Sequence, residues 1–124
     1  MVSRFAQWTL DVRDVDRMAG FWADALGYTV HVQDDGNVKL WPPVDAEAGA
    51  WSIWLQPTAE PKRGKNRNHP DLVADGDVEL EAERLVGLGA RRVDVGQTGT
   101  EPFIVLADPE GNEFCLLHGR PTAP

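Results

Sequence analysis

The chain has 124 residues, which suits one domain with a core of its own, and 42% of them are hydrophobic. Its formal net charge of −8 gives an average field that repels nucleic acid and anionic membrane. One cysteine, Cys115, rules out an internal disulfide and fits a reducing cytoplasm. No apolar run approaches the roughly 20 residues of a membrane span. The opening MVSRFAQWTLDVRD lacks an apolar stretch of signal-peptide length, so no secretion signal is expected.

In chain order, a strand is predicted over 4–12. A helix follows, with Val15, Met18, Ala19, Trp22, Ala25 and Leu26 on one face, Asp14 as cap and Gly27 as stop. A strand over 28–33, the turn 34–37 and a strand over 38–41 read as a hairpin, and 50–56 is a fourth strand. The link 58–68 is rich in Pro, Gly and basic residues. The second half repeats the first. A strand over 69–74 precedes a helix with Val78, Ala82, Leu85 and Val86 on one face, capped by Asp77 and stopped by Gly89. Strands over 91–95, 102–107 and 113–118 follow, and 119–124 is a tail.

The chain therefore reads as a single α+β domain over 1–124, built from two βαβββ modules (about 1–57 and 69–118). A sheet with one helix leaves its other face open. Two such halves are expected to form a curved eight-stranded mixed sheet around a cavity, which is a natural ligand site.

The phrases Leu10-Asp11-Val12-Arg13-Asp14-Val15 and Phe21-Trp22-Ala23-Asp24-Ala25-Leu26-Gly27-Tyr28 recur in a recognisable order with three others. These are Lys65-Asn66-Arg67-Asn68-His69-Pro70-Asp71-Leu72, Leu85-Val86-Gly87-Leu88-Gly89-Ala90-Arg91-Arg92 and Asp108-Pro109-Glu110-Gly111-Asn112-Glu113-Phe114-Cys115-Leu116. Together they resemble the glyoxalase-like branch of the vicinal oxygen chelate superfamily. That group includes glyoxalase I, extradiol dioxygenases and bleomycin-binding resistance proteins. The resemblance implies a small-molecule ligand, and a homodimer in which each pocket can draw on both chains.

The resemblance also implies metal-ligand positions on four strands. They fall near Gln7, on His69, on Cys115 where a Glu is expected, and near 53–55, where there is neither acid nor His. A Gln/His/Cys set mixes hard and soft donors, and a catalytic zinc usually has three good protein ligands. No metal or other cofactor is expected, nor glyoxalase I activity. The alternative is a divalent metal on Gln7, His69 and Glu113, since Glu113 shares a strand face with Cys115.

His69 is the first candidate for an acid–base group or polar anchor, its ordinary pKa lying near neutrality; it could equally bond the linker backbone. Asp71 could orient His69 or pair with Arg67, which is expected at the cavity rim. Cys115 reads as a small buried apolar residue, or as a nucleophile if its pKa were lowered. Among Trp41, Trp51 and Trp54, alternation sets Trp51 opposite Trp54, so one can line the cleft while the other packs beneath the helix. The resemblance implies that stacked aromatics of this kind hold planar, often cationic, drugs, as in the superfamily's resistance proteins. The expected ligand-binding set is Gln7, Trp41, Trp54, Arg67, His69 and Cys115, with His69 and Asp71 as catalytic candidates.

Two functions compete. One is a binding protein that sequesters a drug or metabolite. The other is a metal-independent isomerase or lyase using His69, with a metal-dependent lyase or dioxygenase as a third course.

Overall fold

The computed structural model describes residues 1–124 as two helices and eight strands in two four-stranded mixed sheets, an α+β fold with no closed barrel. The chain divides into two compact units, 1–61 and 62–124. The expected βαβββ order is present in each.

In the first unit, β1 (Gln7–Val12) leads into α1 (Val15–Leu26), then β2 (Thr29–Val32), β3 (Val38–Trp41) and β4 (Ser52–Pro57). The Asp14 carboxylate accepts from the Arg17 N–H at 3.1 Å, which satisfies one free donor of the helix start. Gly27 ends the helix in the left-handed conformation (φ 70°), where a side chain would be strained. The strand order is β1-β4-β3-β2, with β1 parallel to β4 and the other pairs antiparallel.

Side-chain alternation divides this sheet into two unlike faces. Trp8, Leu10, Val12, Val38, Leu40, Ile53 and Leu55 share one face, and the last five of these are buried. The Trp8 ring meets the edge of Trp22 on α1 at 5.2 Å, which fixes this face as the one beneath the helix. Trp22, itself 1% exposed, also meets Phe21 edge to face at 5.1 Å. The opposite face carries Gln7, Thr9, Asp11, His31, Lys39, Trp41, Trp54 and Gln56.

The second unit runs β5 (Asp71–Val73), α2 (Val78–Leu88), β6 (Arg91–Arg92), β7 (Phe103–Ala107) and β8 (Glu113–Leu117), in the matching order β5-β8-β7-β6 with β5 parallel to β8. Asp77 caps α2 by accepting from the Leu80 N–H at 3.0 Å. Phe114, Leu116, Leu106 and Leu85 are fully buried. Glu113, Cys115 and Leu117 alternate onto the face of β8 opposite Phe114 and Leu116.

Several strands are shorter than the sequence predicts, for local reasons. The strand expected over 69–74 begins at Asp71. Pro70 has no N–H for a ladder, and its carbonyl accepts from the Cys115 N–H at 3.1 Å. His69 therefore stands just before the strand. The strand expected over 91–95 stops at Arg92, because the Gln97 side chain accepts from the Val95 N–H (2.7 Å) and donates to the Val93 carbonyl (2.8 Å). The fourth strand starts at Ser52, and the Ala50 N–H is turned onto the Glu47 carbonyl. Trp51 thus precedes β4, stacked on Phe5 at 4.9 Å and 41% exposed. The expectation that one of Trp51 and Trp54 packs beneath the helix is not met; Trp8 meets α1 instead.

Candidate functional site

The second unit gathers three of the candidate residues. Asp71 and Cys115 are direct partners across the β5–β8 pairing, and His69 reaches back to them from the turn before β5. His69 Nε2 lies 3.5 Å from Asp71 Oδ1, a contact on the long side for a hydrogen bond. Nitrogen, oxygen and sulfur donors of the three residues all fall within 4.8 Å of one another. Burial pushes the Cys115 thiol above its ordinary pKa, and the Asp71 charge pushes it further. The thiol therefore stays protonated at neutral pH, against a nucleophilic role. Asp71 is the group that ties the cluster together, facing His69 on one side and the thiol on the other. Arg67 is exposed and makes no ion pair with Asp71.

Glu113, two residues before Cys115, lies on the same strand face but is engaged otherwise. Its Oε1 accepts from Lys62 Nζ at 2.8 Å and from the Asn66 N–H at 3.0 Å. Burial works against its charge, but Lys62 and the Asn66 N–H outweigh it and hold the carboxyl below the usual glutamate range. Oε2 is buried without a partner. The segment opened by Lys62 is thereby clipped to β8.

The metal positions implied by the superfamily can be tested on these contacts. Glu113 has an ammonium on Oε1 and only Oε2 left to offer. Cys115 would offer its sulfur as a thiolate, which its surroundings disfavour unless a cation is bound. Gln7, in the first unit, offers only a neutral amide. The implied positions Gln7, Cys115 and Glu113 thus make a poor set for a divalent ion, while His69, Asp71 and Cys115 bring a His and a carboxylate together beside a thiol.

The first unit carries a different grouping, on the sheet face away from α1. Alternation along Val38-Lys39-Leu40-Trp41 puts Lys39 and Trp41 together, and Lys39 is the direct cross-strand partner of Trp54. The Lys39 ammonium lies 4.5 Å from the Trp41 ring centre and 5.5 Å from that of Trp54. His31 faces Lys39 from β2, and Thr9 faces Trp54 from β1. With its amide oriented to satisfy both neighbours, Gln56 donates to Asp11 Oδ1 at 3.2 Å and accepts from the Trp54 indole N–H at 3.1 Å. Gln7 stands exposed on this face of β1.

Sequence reasoning singled out Trp41, Trp54, His69 and Asp71 but passed over Lys39. The signal for Lys39 was present, because the alternation that selects Trp41 selects Lys39 with it. Lys62 was visible as part of the basic run Lys62, Arg63, Lys65 and Arg67, which could grip a phosphate or carboxylate or simply be a solvated link; that its partner is Glu113 is set by folding.

The repeated βαβββ module defines the class of fold, and residues 7–117 match the model of the glyoxalase-like domain. The chain belongs to that family. No curated protein matches it significantly. Among solved structures it is similar to a fosfomycin resistance protein, FosX, from Mesorhizobium loti (20% identity, 97% of this chain and 94% of that one, TM-score 0.69). It is likewise similar to FosX from Listeria monocytogenes (18%, 97% and 94%, TM-score 0.73). A third is a glyoxalase/bleomycin resistance protein/dioxygenase family enzyme from Burkholderia phytofirmans PsJN (16%, 90% and 94%, TM-score 0.67). At these identities the likeness concerns the fold.

Proposed function

We propose that this chain is a small-molecule-binding member of the glyoxalase-like family that sequesters a drug or metabolite without a metal. The observation that carries the reading is the aromatic grouping on the first sheet. Trp41 is 46% exposed there, an open ring surface, while the Trp54 N–H is already satisfied and its ring direction fixed. Pre-oriented aromatic surface gives binding at low entropic cost. Gln7 on the same face is the further contact proposed for a ligand there; His69 and Cys115 are proposed as contacts within the second unit's own grouping. The proposal includes a homodimer, on the strength of the family, and a cytoplasmic location, on the strength of a lone thiol. No helix is long and apolar enough to cross a membrane.

A second reading is favoured by the His69–Asp71 contact: metal-independent isomerase or lyase chemistry with His69 as the proton carrier. One positioned acid–base group supplies about 10²–10⁴-fold acceleration.

Two measurements check these readings. Metal analysis of protein purified without chelator or metal columns is expected to find no stoichiometric zinc, nickel, iron or manganese. A metal near one per chain would overturn the metal-free reading. A ligand panel that includes fosfomycin, read by tryptophan quenching, is expected to contain a binder. His69→Ala should cost that binder only part of its affinity. Turnover of a panel compound that His69→Ala abolishes would replace binding with catalysis. Silence across the panel in quenching and in native mass spectrometry would count against both.

A further inference from the structure

We infer that the ligand of the first sheet is an anion: a flat ring carrying a carboxylate or phosphonate, the charged group seated on Lys39. This rests on the small-molecule-binding reading and narrows it.

Three observations carry it. The chain has 20 acidic residues against 12 lysines and arginines, yet none of the acids pairs with Lys39. The ammonium lies instead within cation–π distance of two indoles, on a residue that is half-buried as a whole. Its charge thus has aromatic rings beside it and no counter-ion.

The second observation is the rest of the face. The one carboxylate these four strands place there, Asp11, is held by the Gln56 amide. The direct cross-strand neighbours of Lys39 are His31 and Trp54. Asp11 keeps its charge, but its strand partner is Gln56, whereas Lys39 faces His31 and Trp54, so the acid does not stand against the ammonium.

The third is the state of the rings. Aromatic faces attract cations, which on its own would favour a cationic drug. Here Lys39 already occupies that position. A second cation would meet its repulsion, whereas an anion would meet a positive charge that has no counter-ion. Gln56 orients Trp54, and Trp41 leaves surface exposed for the ligand's own ring to stack on.

The test uses two probes with one ring and opposite charges, 2-naphthoate and (2-naphthyl)methylammonium, titrated calorimetrically into the full chain near pH 7.5. The naphthoate is expected to bind at least tenfold more tightly. Lys39→Met keeps the aliphatic stem and should erase the difference, while Lys39→Arg should retain it. Equal or tighter binding of the ammonium would overturn the inference, as would naphthoate affinity unchanged in Lys39→Met. Binding of neither probe would overturn it too. A binder found elsewhere in the panel would then leave the small-molecule reading standing, and an empty panel would take both down. Should Lys39→Met fail to fold, the wild-type comparison of the two probes still decides.

Discussion

Lys62→Met is expected to destabilise the second unit by about 3 kcal/mol, the cost of leaving a buried carboxylate without its counter-ion. The Glu113 side chain is 10% exposed and that of Lys62 18%, so water replaces the lost ammonium poorly. The Asn66 N–H remains on Oε1, but Oε2 has no partner to begin with. Urea titration with hydrogen-exchange readout at Asn66 and along β8 checks it. A loss below about 1 kcal/mol, ordinary for exposed pairs, would show that the clip is only a surface contact. Glu113→Gln in the Lys62→Met background should restore part of the loss, because a neutral amide needs no counter-ion.

The pH dependence of this pair has a definite sign. The folded-state carboxyl titrates below its ordinary value of 4.5. Its contribution is therefore complete above that value and disappears as the pH falls through the lowered folded-state value. Glu101, held at about 2 by N–H groups of Thr98 and Gly99, titrates in the same sense. In Lys62→Met the carboxyl loses the ammonium that favours its charged form, so the deficit relative to wild type should shrink on acidification.

Trp22→Ala is expected to cost the first unit about 3–5 kcal/mol, the range for removing a large aromatic from a core. Trp22 is 1% exposed and makes edge contacts with both Trp8 and Phe21, so its loss opens a cavity between helix and sheet. Denaturant unfolding and near-UV circular dichroism of the tryptophan bands report it. Trp22→Phe should lose less than half as much. A cost under about 1.5 kcal/mol for the alanine variant would mean that the rings around position 22 collapse into the space.

Helices were legible in the sequence to the residue, because their ends are local chemistry: an aspartate reaching three residues forward, and a glycine at positive φ at Gly27 and Gly89. Strand limits were less so. Those at Asp71 and Arg92 depend on what Pro70 and the Gln97 side chain do to the ladder, and periodicity does not register either. The same divide runs through the candidate site. Trp41, Trp54, His69 and Asp71 could be picked by residue type and alternation. The clip between Lys62 and Glu113 could not, because the two lie far apart in sequence and nothing in the basic run names its partner.

In both sheets the first strand of the module pairs in parallel with its last, β1 with β4 and β5 with β8, while the strands between them are joined as neighbours. Chain entropy treats these contacts differently. A hairpin such as β2–β3 closes a short loop, whereas the parallel pairing must bring together segments separated by a helix and two strands. The rungs that seat Asp71 against Cys115, and Thr9 against Trp54, are thus the ones whose formation waits on most of their module. The second module thus carries its Asp71–Cys115 rung on its long-range seam, whereas in the first the Lys39–Trp54 rung belongs to the antiparallel β3–β4 pairing and needs less of the module in place.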